Sequence, residues 1–364
     1  MAPDARMVSL PTTTFSETTN TNDSKGASAM QLIQVTLVFM VSFVGILGNG
    51  TCIWILGFKM KMTVHTIWFL QLICTYFLAA IVLLFAAITE AMNNNWIFGR
   101  AMCKLINSMT SFSMFASVFL LTVIAIDRCI LILHPVWSKA YRTTKLCAMI
   151  SLAVWLMAIM FSSPYLAFRD IQTDRNKTFC INNYVLEKGV NSSVFQAKSK
   201  RIHVVMYVIR LLFGFIIPLI IITVCYMIIG VKIKLRKFYK SSRSFQVIVA
   251  AVVSFFVCWF PYHVYSYMNI YKDSLPKTLL QVFRMLTFAF TCVNSCITPV
   301  IYVIVGQNFK LALKKSLFSL FENTFGETTM DKIYRVSQTN SVIHHDTELS
   351  EIHPNNRIRD TPLI

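Results

Sequence analysis

An all-α membrane protein is the fold class this sequence predicts: a bundle of seven transmembrane helices, then a short amphipathic cytoplasmic helix. Three observations carry that reading. The chain of 364 residues is 55% hydrophobic and only 14% charged, where soluble domains carry about a quarter charged residues; its mean hydropathy is +0.59. Seven stretches, roughly 32–57, 66–89, 105–126, 146–168, 202–231, 245–271 and 279–305, hold almost no ionised side chains. Each is long enough, at ~20 residues, to cross a ~30 Å hydrocarbon core as a helix, and lipid obliges every backbone amide to find an internal partner. Seven such spans in series exclude a soluble helical protein.

The third observation is the charge of the short loops, which sets orientation. Lys59 and Lys61 follow the first span. Arg128, Lys139, Arg142 and Lys145 separate spans three and four. Lys232, Lys234, Arg236, Lys237, Lys240 and Arg243 separate spans five and six. Apart from Asp127 these loops hold no acid, so they are expected to be cytoplasmic. Residues 1–31 are then an irregular, Ser/Thr-rich extracellular segment, 32–305 the bundle, 306–325 the surface helix and 326–364 an irregular cytoplasmic tail. The protein is expected in the cell membrane, multi-pass, with its N-terminus outside. The net charge of +18 reads as loop topology and contact with membrane lipids of the anionic inner leaflet, not as a nucleic-acid surface.

Asn22, Asn176 and Asn191 begin Asn-X-Ser/Thr sequons on the outer side, where glycosylation is expected; the sequon at Asn49 lies inside span one. Eight of the ten cysteines fall in spans or on the cytoplasmic side, where thiols behave as small hydrophobes. Only Cys103 and Cys180 face the oxidising side, which predicts one disulfide. No Cys/His cluster suggests a metal, and no cofactor is expected. In 306–325, Phe309, Leu313, Leu317, Leu320 and Phe321 share one helical face beside Lys310, Lys314 and Lys315, the pattern of a helix lying on a membrane. Thr328, Thr329, Ser337, Thr339, Ser341, Thr347 and Ser350 are candidate phosphoacceptors for receptor kinases, and arrestin a candidate partner; a plain solvated tail fits them equally.

Asp127 and Arg128 adjoin at the end of a long apolar run. From Cys103 to Asp127 is 24 residues, ~36 Å at ~1.5 Å each, which places the pair at the inner membrane face. Charges there are costly unless paired or solvated. An aspartate next to an arginine can neutralise it in one state and release it in another; alone, the pair reads equally well as a snorkelling helix end.

It does not stand alone. "GILGNG" with Asn49, Trp155, Pro218 and Tyr226, "CWFPYH" at 258–263, and Pro299 with Tyr302 accompany it. With Cys103 and Cys180, these motifs resemble the rhodopsin-like G-protein-coupled receptors over roughly residues 33–322. "DRC" in place of the commoner DRY, "LHPVWSKAYRT", "KSSRSF" and "GQNF" resemble the chemoattractant branch, which includes formyl-peptide and chemerin-like receptors. The resemblance implies a heterotrimeric G-protein partner of the inhibitory type. Asp127, Arg128, Tyr226 and Tyr302 would serve coupling, with Asp127 restraining Arg128 at rest. Trp259 and His263 would border the ligand pocket.

Two arginines lie inside spans, Arg210 in the fifth and Arg284 in the seventh, both on the outer half, with no embedded acid. That predicts an extracellular anionic ligand, a peptide carboxylate or an acidic lipid. Arg210 also matches an arginine that formyl-peptide receptors use for ligand, but Ser111 stands where those receptors place an aspartate. An amine ligand finds no carboxylate in the outer part of span three. The chain departs from its family at one further place. Tyr76 replaces the usual aspartate of span two and Thr298 the usual asparagine of span seven, leaving Ser117 alone of three groups that typically hold a sodium ion.

Other classes fare worse. Internal repeats and broken helices of a transporter are missing, span seven has no lysine for retinal, and no catalytic cluster suggests an enzyme. A non-signalling or weakly coupled ligand-binding scavenger receptor is the remaining alternative.

Overall fold

Hydroxyl side chains set the starts of two helices. Thr63 and Thr143 precede α2 (Val64–Ala91) and α5 (Thr144–Ser162), and each accepts the amide three residues on, from Thr66 and Leu146, at 3.2 Å. Such N-caps satisfy an otherwise orphaned donor of the first turn. The structure, a computed structural model, describes residues 21–174, 176–184, 193–235 and 243–305. Seven segments there are helical, long and apolar enough to cross a membrane: Val35–Lys59, Val64–Ala91, Gly99–Leu133, Thr144–Phe168, Ala197–Lys232, Ile248–Ile270 and Lys277–Cys296. The seven expected spans are thus all present.

In chain order the elements are α1 (Thr21–Trp54), α2, α3 (Gly99–Leu133), a short α4 (Pro135–Tyr141), α5, and a one-turn α6 (Pro164–Phe168). An antiparallel hairpin follows, β1 (Arg169–Asp174) against β2 (Lys177–Asn182), in which Ile171 faces Cys180. Then come α7 (Ser193–Leu211), α8 (Ile217–Leu235), α9 (Arg243–Ile270) and α10 (Lys277–Val305). The helix α3 is central, packing on α2, α5, α6, α8 and α9, while α1 closes the ring between α2 and α10.

Polar side chains tie the ring together where apolar packing alone would let helices slide. Asn49 donates from Nδ2 to the carbonyls of Gly45 (2.8 Å) and Ser295 (2.9 Å), joining α1 to α10. Trp155 Nε1 donates to Gln71 Oε1 at 2.9 Å, joining α5 to α2. Gly45 lets α1 approach α2, since a Cβ there would lie 3.0 Å from the Ala80 Cβ.

Span five is interrupted by a π turn, Leu212–Ile216, between α7 and α8. Pro218 follows it and lacks the amide that would complete an ordinary α turn. Within the π turn, a Cβ on Gly214 would come 3.1 Å from Met114 Cε of α3. The extra residue turns α7 relative to α8, and Arg210 sits two residues before it.

Two expectations about boundaries change. Residues 21–31 were expected to be irregular; instead α1 begins at Thr21, where Ala27, Ala29, Met30 and Gln31 favour helix and no Pro intervenes. Asp127 and Arg128 were expected at a helix end, but α3 runs five residues beyond the pair, to Leu133. The expected surface helix 306–325 and the tail lie outside the described residues, as does Asn191.

Candidate functional site

The end of the bundle that carries the hairpin is built on a disulfide. Cys103, in the first turns of α3, is bonded to Cys180 on β2, with their Cα atoms 5.6 Å apart. The expected pairing is therefore present. Arg100 on α3 reinforces it by a bidentate ion pair to Asp170 on β1, at 2.7 and 3.0 Å. Asn176, exposed with φ 66°, turns the chain between the strands; Asn tolerates this left-handed conformation better than most residues. Asn22 lies in the first turn of α1.

Two cavities open beneath the hairpin. The larger, about 180 Å³, is walled chiefly by apolar groups of α2, α3, α9 and α10, and Trp259, Thr287, Asn294 and Arg284 line it. The smaller, about 70 Å³, is lined by Arg169, Arg210, Tyr165, Tyr184, Tyr262 and His203 among others. Asn107, Thr110 and Tyr262 border both, so the two are neighbouring arms of one recess.

The smaller arm is the cationic one. Arg210 lies over the ring of Tyr165 at 4.9 Å and that of Tyr262 at 5.6 Å, and donates to the Tyr262 hydroxyl. Arg169, the first residue of β1, is only 3% exposed. Its burial lowers the guanidinium to about 10, the phenols of Tyr184 and Tyr262 acting in the opposite sense. Burial pushes the Tyr184 phenol up to about 12. At neutral pH Arg169 therefore remains a cation and the Tyr184 phenol stays protonated, and no carboxylate is among the described residues lining the arm. Removing a charge from water costs several kcal/mol unless it is compensated. Arg169 follows the uncharged stretch 146–168 read from the sequence; its burial comes from the hairpin folding back over the bundle.

The larger arm treats its arginine differently. Arg284 interacts electrostatically with Glu90 near the end of α2, a residue only 6% exposed. This corrects the expectation that no acid is embedded in that half: Glu90 lies just beyond the uncharged stretch read from the sequence, yet α2 continues through it. His263 also departs from expectation. It lines neither arm; its ring is 3% exposed and packs on Phe215 and Tyr262, at 4.9 and 5.4 Å, because it falls on the face of α9 turned toward the π turn.

At the opposite end the geometry is just as specific. Asp127 is engaged from further along the chain. Arg142, between α4 and α5, takes both carboxylate oxygens, Nε to Oδ1 at 2.7 Å and Nη2 to Oδ2 at 2.8 Å. Arg128, 6% exposed, lies against the imidazole of His65 in the first turn of α2, with Nη1 at 3.0 Å from Nε2. Asp127 and Arg128 project from different sides of α3, as consecutive helical residues must. Tyr226 on α8 is half-buried and interacts electrostatically with Arg128. Tyr302 and Thr298 belong to α10, and their side chains lie outside the description.

Midway between the ends, Tyr76 is 1% exposed, and Ser117 is engaged by the protein itself. Its hydroxyl meets Thr75 Oγ1 at 2.8 Å and donates to the Ser113 carbonyl at 2.7 Å, while Ser113 donates to the Thr75 carbonyl at 2.8 Å.

Seven membrane-crossing helices around a central α3, one disulfide fastening a hairpin over a recess, and an Asp-Arg pair at the far end define a class. Residues 48–302 match the family described as 7 transmembrane receptor (rhodopsin family), and the chain belongs to it. Among its relatives, probable G-protein coupled receptor 33 of Homo sapiens is 41% identical over 302 residues, 83% of this chain and 90% of that protein. Chemerin-like receptor 1 of Homo sapiens is 38% identical over 313 residues, 85% and 84% of the two chains. The C3a anaphylatoxin chemotactic receptor of Oncorhynchus mykiss is 37% identical over 319 residues, 86% and 85%. The chain is thus a multi-pass membrane receptor of the chemoattractant type, not an enzyme, and its class works through an extracellular ligand and a heterotrimeric G protein.

Proposed function

We propose that this receptor senses an anionic ligand, a peptide carboxylate or an acidic lipid, and activates an inhibitory-type G protein, with its N-terminus and hairpin outside the cell. The observation that carries the ligand class is the pairing of Arg169 and Arg210 in one arm whose described lining residues include no carboxylate. An anion entering there makes charge-assisted hydrogen bonds to two preformed guanidinium groups, whose planar forks suit carboxylate and phosphate. The apolar arm beside it takes a hydrophobic side chain or acyl chain. Glu90 repels a second acid from the Arg284 side, so the ligand is oriented. The loop charges support the orientation, and the similarity to chemoattractant receptors supports the coupling.

The test is G-protein activation by cells expressing the receptor, screened against carboxylate peptides, their C-terminal amides and fatty acids. An active acid should outperform its amide, and Arg169→Ala or Arg210→Ala should each weaken it at least about tenfold, the loss of a hydrogen bond to a charged group. Equal potency of acid and amide would reject the anionic reading. Binding without any G-protein response would favour a scavenger.

A further inference from the structure

The His65 cluster draws three elements to one imidazole. From α3 comes Arg128, whose Nη1 lies 3.0 Å from Nε2 and whose Nη2 reaches Nδ1. From the α4–α5 junction comes Arg142, with Nη2 3.0 Å from Nδ1. His65 is the second residue of α2, where the Thr63 cap fixes the backbone of the first turn. A guanidinium only donates, so wherever the ring bonds to these arginines it must accept. Nδ1, within reach of both, is the shared acceptor. Arg142 is fixed on its other side by Asp127, and its backbone amide donates to Ser138 at the end of α4.

We propose that His65 is a positioning residue for G-protein coupling: it holds Arg128 against α2 at rest and shares that hold with Arg142. The proposal rests on the reading that Arg128 meets the G protein. It brings helix two and the α4–α5 junction into the restraint on Arg128. Releasing Arg128 then requires breaking a contact between helices. Movement of α4 also reaches Arg128, through Arg142 and the ring.

The test compares basal nucleotide exchange on an added inhibitory G protein by membranes carrying the full chain. Three variants join the wild type: His65→Leu fills the space without an acceptor, His65→Asn places a carbonyl near the Nδ1 position, and Arg128→Ala removes the coupling residue. Loss of a charge-assisted hydrogen bond shifts a two-state equilibrium about tenfold or more. His65→Leu should therefore raise basal exchange at least about threefold, with His65→Asn close to the wild type. A packing role gives the opposite order, since leucine preserves bulk and asparagine does not; that order, or two unchanged variants, overturns the proposal. Hydrogen–deuterium exchange of segment 134–143 in the purified receptor is read in parallel. It should quicken in His65→Leu alone, and an unchanged rate there overturns the latch. If no protein in the set activates G protein, the coupling reading has failed, and this second measurement alone decides about His65. Should His65→Leu not reach the membrane, His65→Gln against His65→Met repeats the comparison with longer side chains.

Discussion

Each end of the bundle holds two arginines in close quarters, and the two pairs are treated in opposite ways. At the hairpin end Arg169 and Arg210 line a cavity with phenols and aromatic rings, and no carboxylate is among its described lining residues. At the Asp127 end Arg142 holds a carboxylate with two hydrogen bonds, and Arg128 and Arg142 share an imidazole. Aromatic faces attract a cation with about 0.5–2 kcal/mol, too little to replace a counter-ion in a desolvated site. The difference teaches where an outside molecule is needed. On the proposed reading an anion from outside joins the first pair, whereas at the second Arg142 and Arg128 already meet Asp127 and His65 of the chain itself, and something must displace those contacts.

The hardest blow to that contrast falls at the Asp127 end. Arg128→Ala should nearly abolish agonist-driven nucleotide exchange while agonist binding to the same membranes survives; normal signalling would reduce the pair to a charged stretch of helix. Next in size is the disulfide that roofs the cationic arm. Cys103→Ser should cost most of the surface receptor, counted by antibody on intact cells, because removing a native disulfide typically costs about 2–5 kcal/mol. Peptide mapping without reduction should show Cys103 joined to Cys180, and two free thiols in surface protein would refute the bond.

A smaller effect probes the arm that does own an acid. Glu90→Gln releases Arg284 and should let a dicarboxylate agonist gain several-fold over its monocarboxylate analogue; an unchanged ratio means Glu90 has no part in orienting the ligand. The smallest expected effect is none. Sodium binds hard, preferably anionic oxygen, and neither Tyr76 nor Thr298 brings charge, while Ser117 is committed to Thr75 and Ser113. Agonist affinity in sodium should therefore match that in an organic cation at equal ionic strength, and a large sodium-specific loss would sink the idea.

What was readable in the sequence follows what is local. A run of uncharged residues announces a helix in lipid wherever it falls, so all seven spans could be placed, and two outward cysteines could only find each other. Residues at the margins of those runs were misjudged. Glu90 and Arg169 each lie just outside an apolar stretch, and charge alone assigns such residues to water; their burial is decided by neighbours from α10 and from the hairpin. His65 gave no signal, since an uncharged histidine near a loop invites no partner, and its two arginines lie 63 and 77 positions away. Arg142 likewise gave no signal as a partner of Asp127, since 15 positions of chain separate the two.

The π turn Leu212–Ile216 has a consequence in genetic terms. A π turn is an α-helix that has absorbed one surplus residue, so it is a place where the reading frame of the helix, not of the gene, can shift cheaply. Loss of a single codon within 212–216 would return the segment to α geometry and leave α8 in register with α3. Everything from Ser193 to Leu211 would rotate by about 100° about the helix axis, carrying Arg210 away from Tyr165 and Tyr262. One deletion could thus leave a chain that still crosses the membrane and keeps its Asp127 end, yet no longer offers Arg210 to a ligand. By the same route, a lineage of such receptors could change what it senses without losing its fold.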